Sequence, residues 1–265
     1  MLRVVISNIN ISSRLLKNLK EFPDKFYRRN DQPKIKFGCC QLDKNGAGKM
    51  RIVFEPVAIL KVIQQQINYY IQKIPLPSCM HGGIRNRDNI SNAYEHVGSK
   101  FFLTVDLKSF FTNISHKRIN HTLLSYGFSW EEARIITRLC TLNGSLPQGA
   151  PTSTALANLV FAATALELET MCIEKNIIFT NFVDDLTFSS CKDFEYFIPQ
   201  ILCLLKKNGF VINHKKIHYR RDSCEITGLL AKNRKLQLEE TMMQRLENPQ
   251  VKAYANRVYK YPNAS

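Results

Sequence analysis

Asp184 and Asp185 stand side by side in Phe182-Val-Asp-Asp-Leu-Thr-Phe188. Adjacent carboxylates repel each other unless a cation lies between them. A separate apolar run, Phe101-Phe-Leu-Thr-Val105, ends in a third carboxylate, Asp106. If the two segments are neighbours, three hard oxygen donors converge at one sheet edge. Such a set suits Mg²⁺, which keeps part of its water and completes its shell from substrate phosphates. Two such ions stabilise both the attacking and the leaving oxygen of a phosphoryl transfer. Plain turn chemistry is the alternative, because Asp-Asp also tolerates the geometry of a tight turn.

The carboxylates need elements to carry them. Ile177 to Val183 and Leu186 to Ser189 read as two strands meeting at Asp184-Asp185, and Phe101 to Val105 as a third. Upstream, Lys34 to Leu42, the glycine-rich Asp43 to Lys49 and Met50 to Phe54 predict strand, turn and strand, a basic hairpin with Arg51 on its second strand. Apolar residues at 59, 60, 63, 67, 70, 71 and 74 predict a helix over 56–73, with Pro56 in its first turn. Ser12 or Ser13 is placed to cap an earlier helix ending near Phe22-Pro23. After a Pro- and Gly-rich loop, 75–87, a short helix is expected around 92–96, then helices over 116–126 and 130–142. Leu146-Pro-Gln-Gly-Ala-Pro151 breaks the chain and opens a long helix, with Pro151 in its first turn. A helix over 193–208, short strands at 210–212, 217–220 and 224–230, and a charged helix over 238–247 complete the expectation. No internal repeat and no linker divides the chain.

The 265 residues carry 37 Lys+Arg against 22 Asp+Glu, a net charge of +15. At about 150 residues per domain the length predicts about two lobes. With 45% hydrophobic and 22% charged residues, the composition excludes wholesale disorder. An excess of positive charge this large calls for a polyanion, nucleic acid or an anionic surface. Nucleic acid is favoured: no stretch reaches the ~18 uncharged apolar residues of a membrane span, and Met1 to Arg14 lacks the ~7–15-residue apolar run of a secretory signal. A cytoplasmic protein with no membrane partner is expected. The eight cysteines form no C-x-x-C and complete no zinc spacing with the six histidines, so most of them read as buried, reduced, small hydrophobes.

Taken in order, Val105-Asp-Leu-Lys-Ser-Phe-Phe111, Leu146-Pro-Gln-Gly-Ala-Pro-Thr-Ser153 with Leu156-Ala-Asn158, Phe182-Val-Asp-Asp185, and Gly209-Phe-Val-Ile-Asn213 with Lys216 resemble the palm motifs of reverse transcriptases. The resemblance runs from about Lys34 to Leu230. Within that family, Asn92-Ala-Tyr-Glu-His96 and Ile226-Thr-Gly228 resemble two signatures of bacterial retron reverse transcriptases, with Ile in place of Val in the second and Phe-Val in place of Tyr-Ala before the aspartates. The resemblance implies an α+β fold with the right-hand polymerase architecture of fingers, palm (antiparallel sheet plus helices) and thumb. It divides the chain into an N-terminal segment and fingers over 1–100, a palm over 101–230 with fingers elements interleaved, and a short thumb or C-terminal helix over 231–265. Only 37 residues follow Gly228, which predicts a reduced hold on duplex.

Residue by residue, the resemblance implies that Asp106, Asp184 and Asp185 hold two Mg²⁺. Arg51 matches the arginine that contacts the triphosphate, against the alternative of a solvated hairpin charge; its fork suits phosphate. Lys44 and Lys49 are expected to contribute general electrostatics. Gln148 and Gly149 precede a helix start, where backbone N–H groups and a glycine admit nucleotide or template. Phe111 matches the bulky side chain under the sugar, with Phe110 in the core if the segment is extended. Lys216 matches the lysine that protonates the leaving pyrophosphate, or is one cation of a solvated pair with Lys215. Asn92 and His96 share a helical face at i, i+4, which either presents them to RNA or makes a cap and a satisfied core histidine. His214 and His218 are read as phosphate-facing or incidental. The function implied is that of a retron-type RNA-directed DNA polymerase that copies its own structured non-coding RNA into short RNA-linked DNA from dNTPs, with an effector protein in phage defence. A group II intron-like or other defence-associated reverse transcriptase, and a catalytically idle RNA-binding scaffold, are the rival readings.

Overall fold

The computed structural model describes residues 17–19, 21–36, 39–40, 46–232 and 235–261. In chain order the strands are β1 (Tyr27–Pro33), β2 (Ile35–Lys36), β3 (Cys39–Cys40), β4 (Met50–Pro56), β5 (Phe101–Leu107), β6 (Ile178–Phe182), β7 (Asp185–Ser190), β8 (Ile212–Arg221), β9 (Ser223–Ile226), β10 (Leu229–Lys232) and β11 (Lys235–Leu238). The helices are α1 (Ala58–Ile71), α2 (Asn89–Tyr94), α3 (Phe110–Asn113), α4 (His116–Ser125), α5 (Trp130–Cys140), α6 (Ser153–Ile173), α7 (Ile198–Lys207), α8 (Glu240–Met243) and α9 (Pro249–Lys260). Two compact units result, each assembled from two separated stretches: Met1–Pro75 with Ser109–Val160, and Leu76–Lys108 with Phe161–Ser265.

In the first unit β4 pairs antiparallel with β1, Arg51 lying opposite Gln32, while β2 pairs with β3. This corrects the hairpin expected between 34–42 and 50–54: a seven-residue register with β1 satisfies more backbone groups than the two-residue β2 can. Lys44 and the expected capping serines Ser12 and Ser13 lie outside the described residues. Pro56 ends β4 instead of opening the helix, and Val57 takes the N-cap of α1. Leu60, Ile63, Ile67 and Ile71 of α1 are buried along one stripe, as their spacing requires. Ser115 caps α4, and a reciprocal Ser129–Glu132 capping box starts α5.

The second unit is organised by a four-stranded antiparallel sheet in the order β6-β7-β5-β8. Its core holds Phe102, Leu103 and Phe188, with Phe179 stacked on Phe188 at 4.7 Å. The separate strands expected at 210–212 and 217–220 are one edge strand, β8, whose polar middle hid its continuity. A second sheet, β11-β10-β9, follows, and α9 packs on β11. Strand β11 was not expected from the sequence; the helix expected over 238–247 is the four-residue α8, and the C-terminal helix within 231–265 is α9.

Helix α6 begins at Ser153, two residues beyond Pro151; its residues up to Val160 count with the first unit and those from Phe161 with the second. Its length and mean hydropathy of 1.5 would span a bilayer, yet 61% of that window is buried within the protein, as in a core helix. Cys79, Cys140, Cys172 and Cys224 are buried thiols, whereas Cys191 and Cys203 are exposed. Burial pushes Cys140 and Cys172 up to about 12, which keeps both protonated and inert.

Candidate active site

Antiparallel pairing sets Asp106, near the end of β5, directly opposite Asp185, the first residue of β7. The β6–β7 hairpin closes with Phe182 opposite Asp185, which leaves Val183 and Asp184 as a two-residue turn. Val183 adopts φ 61, a left-handed conformation that a β-branched side chain avoids. Three neighbours hold it there. Asn181 Nδ2 donates to the Val183 carbonyl at 2.8 Å, and Leu107 N donates to the Asp184 carbonyl at 2.9 Å. Gly82 lies against the turn, where a Cβ would sit 2.5 Å from Val183 N. The Gly82 segment is tied in turn to β6, by His81 N to the Asn181 carbonyl at 2.7 Å and Asn181 N to the Cys79 carbonyl at 2.8 Å.

The ladder between β5 and β8 breaks beside Asp106. Val105 pairs with Ile217 but Leu107 pairs with Ile212, so five steps along β8 face two along β5 and three residues are extra. This irregularity aims two side chains at the carboxylate, a use that bulges serve at many sites. Asn213 Nδ2 donates to Asp106 Oδ2 at 3.0 Å, and Lys216 Nζ forms an ion pair with Asp106 Oδ1. Partial burial works against the charge on Lys216. Its hydrogen bond to Asp106 and the carboxylates of Asp106, Asp185 and Asp184 outweigh that and raise its pKa. Desolvation, then repulsion from Asp184 and Asp106, pushes Asp185 up to about 6, with Lys216 opposing. Asp185 as a whole residue is exposed, and the carboxylates of Asp184 and Asp106 are its repelling neighbours.

A cation would relieve that repulsion, and the donor chemistry of three carboxylates fits a hard divalent ion. Among the described residues no three His, Cys, Asp or Glu side chains are gathered closely enough to hold a metal. Lys216 supplies the neutralising charge on Asp106 in this arrangement.

The other residues singled out from the sequence divide between the units. In the first, Phe54 N donates to the Gln148 carbonyl at 2.7 Å, which ties the loop before α6 to the strand that carries Arg51. Arg51 is exposed and reaches Gln32 Oε1 at 3.4 Å. Gly149 has φ 102, and a Cβ there would lie 2.1 Å from Val53 Cγ1, so the close approach this glycine permits is to β4. Phe110 is buried and Phe111 half-buried, on the single helical turn α3 and not on an extended segment.

In the second unit Asn92 and His96 are 1% and 0% exposed. His96 places Nδ1 2.7 Å from Ser189 Oγ and Nε2 2.7 Å from Thr180 Oγ1. Direct presentation of these side chains to RNA is therefore corrected: the shared face at i, i+4 is the buried one. Asp88, not Asn92, caps α2. Asn92 Nδ2 donates to Thr227 Oγ1 at 3.3 Å and Asn89 Nδ2 to the Thr227 carbonyl at 3.1 Å, so the Asn92–His96 and Ile226–Gly228 segments form one joint. The residues that sequence reasoning missed are Gly82, Asn181 and Asn213. Asn213 was visible at the end of the Gly209–Asn213 run, but nothing local marked the other two as neighbours of the turn.

Residues 42–230 match the family model described as reverse transcriptase (RNA-dependent DNA polymerase). The chain belongs to that family. Among curated relatives, it is 28% identical over 201 residues to the retron Ec86 reverse transcriptase of Escherichia coli, covering 74% of this chain and 63% of the relative. It is 32% identical over 197 residues to the retron Se72 reverse transcriptase of Salmonella heidelberg, covering 70% and 52%. The matched stretch thus spans between about half and two thirds of these relatives' own length. Among solved structures, telomerase from Candida albicans in complex with a fragment of telomeric RNA matches with a TM-score of 0.51 at 11% identity, over 73% of this chain and 44% of the other. Apo telomerase from Candida tropicalis gives 0.53 at 9%, over 72% and 46%. At such identity the likeness concerns the fold: this is a reverse transcriptase fold of helices and antiparallel sheets. Reverse transcriptases act with divalent metal ions.

Proposed function

We propose that the protein is a retron-type RNA-directed DNA polymerase. It would extend a DNA strand on its own structured RNA, with dNTPs as substrates, and leave a short DNA joined to that RNA. The observation that carries this reading is the cluster at the strand ends, Asp106 opposite Asp185 with Asn213 and Lys216 turned onto Asp106. Asp106, Asp184 and Asp185 would hold Mg²⁺ only after Lys216 leaves Asp106 and the three carboxylates draw together; the ions would then supply charge stabilisation at the attacking 3′-oxygen and at the leaving pyrophosphate.

The chain's own groups do the rest. Asn213 orients the Asp106 carboxylate. Lys216, kept protonated by three carboxylates, is a proton source for the leaving group once Asp106 releases it. Arg51 and Gln148 contribute to triphosphate binding, with Gly149 setting the loop against β4. Phe111 serves beneath the sugar. Fingers and palm, a cytoplasmic location and an effector protein as partner belong to the same proposal.

Asp106→Asn and Asp184→Asn, each assayed by primer extension and RNA titration on one preparation, should lose incorporation while RNA affinity stays within about threefold, because backbone contacts and metal chemistry use different groups. Extension at a tenth of the native rate or better would reject the assignment. Sequencing copurified nucleic acid tests the subtype, which requires DNA covalently joined to RNA.

A further inference from the structure

The first unit contains a cavity of about 420 Å³ whose lining has no part in the chemistry above. Helices α4 and α5 pack as a hairpin, and their outward stripes face each other across it. From α4 come Lys117 and Asn120; from α5 come Trp130, Arg134 and Arg138, at spacings of four that keep them on one side of the helix. Asn143 adds a second amide, and Asp24 is the single acidic residue of the lining. Trp130 is 66% exposed, and the Arg134 guanidinium lies 5.4 Å from its ring centre.

An indole left this open contributes little to folding. A flat aromatic surface beside three cations and two amides is the combination that binds nucleotides: the ring stacks on a base, amides reach base edges, and Lys or Arg meets phosphate. Volume agrees, since small-molecule sites commonly enclose about 300–1,000 Å³. A peptide of acidic residues would use the cations but not the ring. A paired base offers no free face for stacking, which makes the occupant unpaired.

We propose that this pocket binds one unpaired nucleotide of an RNA strand, its base stacked on Trp130 and its phosphates held by Lys117, Arg134 and Arg138. The site is additional to the carboxylate cluster and to Arg51, Gln148 and Phe111, none of which lines it.

Trp130 is the protein's single tryptophan, so its emission reports on this pocket alone. The experiment uses the full chain without dNTPs, which separates its failure from failure of the polymerase reading. A 12-nucleotide oligoadenylate labelled at one end is titrated in low salt, with Trp emission and label anisotropy recorded together. A blunt-ended RNA duplex without loops or overhangs, matched in total charge, and free AMP are titrated in parallel arms.

We expect saturable quenching that tracks anisotropy for the single strand, at least about tenfold weaker quenching by the duplex, and AMP effective only at far higher concentration. Trp130→Ala, and separately Lys117→Ala with Arg134→Ala, should each weaken oligoadenylate binding at least about fivefold, with unchanged far-ultraviolet circular dichroism. Binding by anisotropy with unaltered Trp emission, equal quenching by the duplex, or no binding would overturn the site. AMP quenching at the same concentration as the strand would overturn its assignment to RNA.

Discussion

His96 has both ring nitrogens against hydroxyls, those of Ser189 and Thr180, in the interior of the second unit. Burial, with a smaller contribution from His81, lowers its pKa to about 3, and burial likewise lowers that of His81 to about 4. Both are neutral when folded and ordinary when unfolded. Their effect on stability is therefore absent above about pH 6.5, and below it the unfolded chain takes up protons that the fold refuses. From pH 7.5 to pH 5 each should cost about 2 kcal/mol of stability. Asp185, pushed up to about 6 in the fold, takes up a proton over the same range and offsets part of this loss; urea unfolding would show the remainder, and His96→Gln should flatten the profile by more than half whatever it does to the maximum. A pH-independent midpoint in the native protein would contradict the burial. This histidine also marks where residue-level reading ends. Three carboxylates beside apolar runs are conspicuous because charge there is costly. Asn92 and His96 at i, i+4 state only that they share a face; the buried and the exposed face have the same spacing. Gly149 likewise signals close approach without naming what approaches.

The turn at Val183-Asp184 is an element whose conformation is imposed from outside. Left-handed backbone at a valine costs on the order of 1–3 kcal/mol, which Asn181, Leu107 and Gly82 together offset. Gly82→Ala puts a methyl 2.5 Å from a main-chain nitrogen, which no side-chain rotation avoids. We expect about 1–3 kcal/mol of destabilisation and at least a tenfold loss of primer extension, since small displacements of reacting groups are costly. Val183→Gly removes the strain and should not rescue Gly82→Ala, because the clashing nitrogen remains. Extension and urea unfolding of the two single variants and the double variant decide this, and native extension by Gly82→Ala would refute it. At this scale the periodic helices α1, α4 and α5 were legible, but their caps, Val57, Ser115 and Ser129, were not. The pairing of β4 was not, because partner choice among short polar strands is decided by register and not by local pattern. The bounds of α9 were not legible because its buried face is Ala255 and Val258, too little apolar surface to show a period.

The whole molecule carries +15, and RNA binding should weaken steeply with salt, log K falling with log[salt] at a slope of at least about −3 if four or five phosphates are neutralised. Filter binding or anisotropy between low and physiological salt measures it; a flat response would remove the polyanion from the account of the charge. The sheet order β6-β7-β5-β8 has a different consequence, for the chain as it is made. The inner strand β5 leaves the ribosome first, and its partner β7 begins 78 residues after β5 ends (185 − 107). At ~5–20 residues per second, that is about 4 to 16 s during which Phe101-Phe-Leu-Thr-Val105 has neither edge paired. An apolar strand with open edges is a template for the wrong partner. Stalled nascent chains should therefore remain sensitive to protease at residues 101–107 until β8 has cleared the exit tunnel, and slowing synthesis between residues 108 and 184 should lower the soluble yield. For this chain, the placement that brings Asp106 opposite Asp185 also sets the interval in which the newborn protein most needs a chaperone.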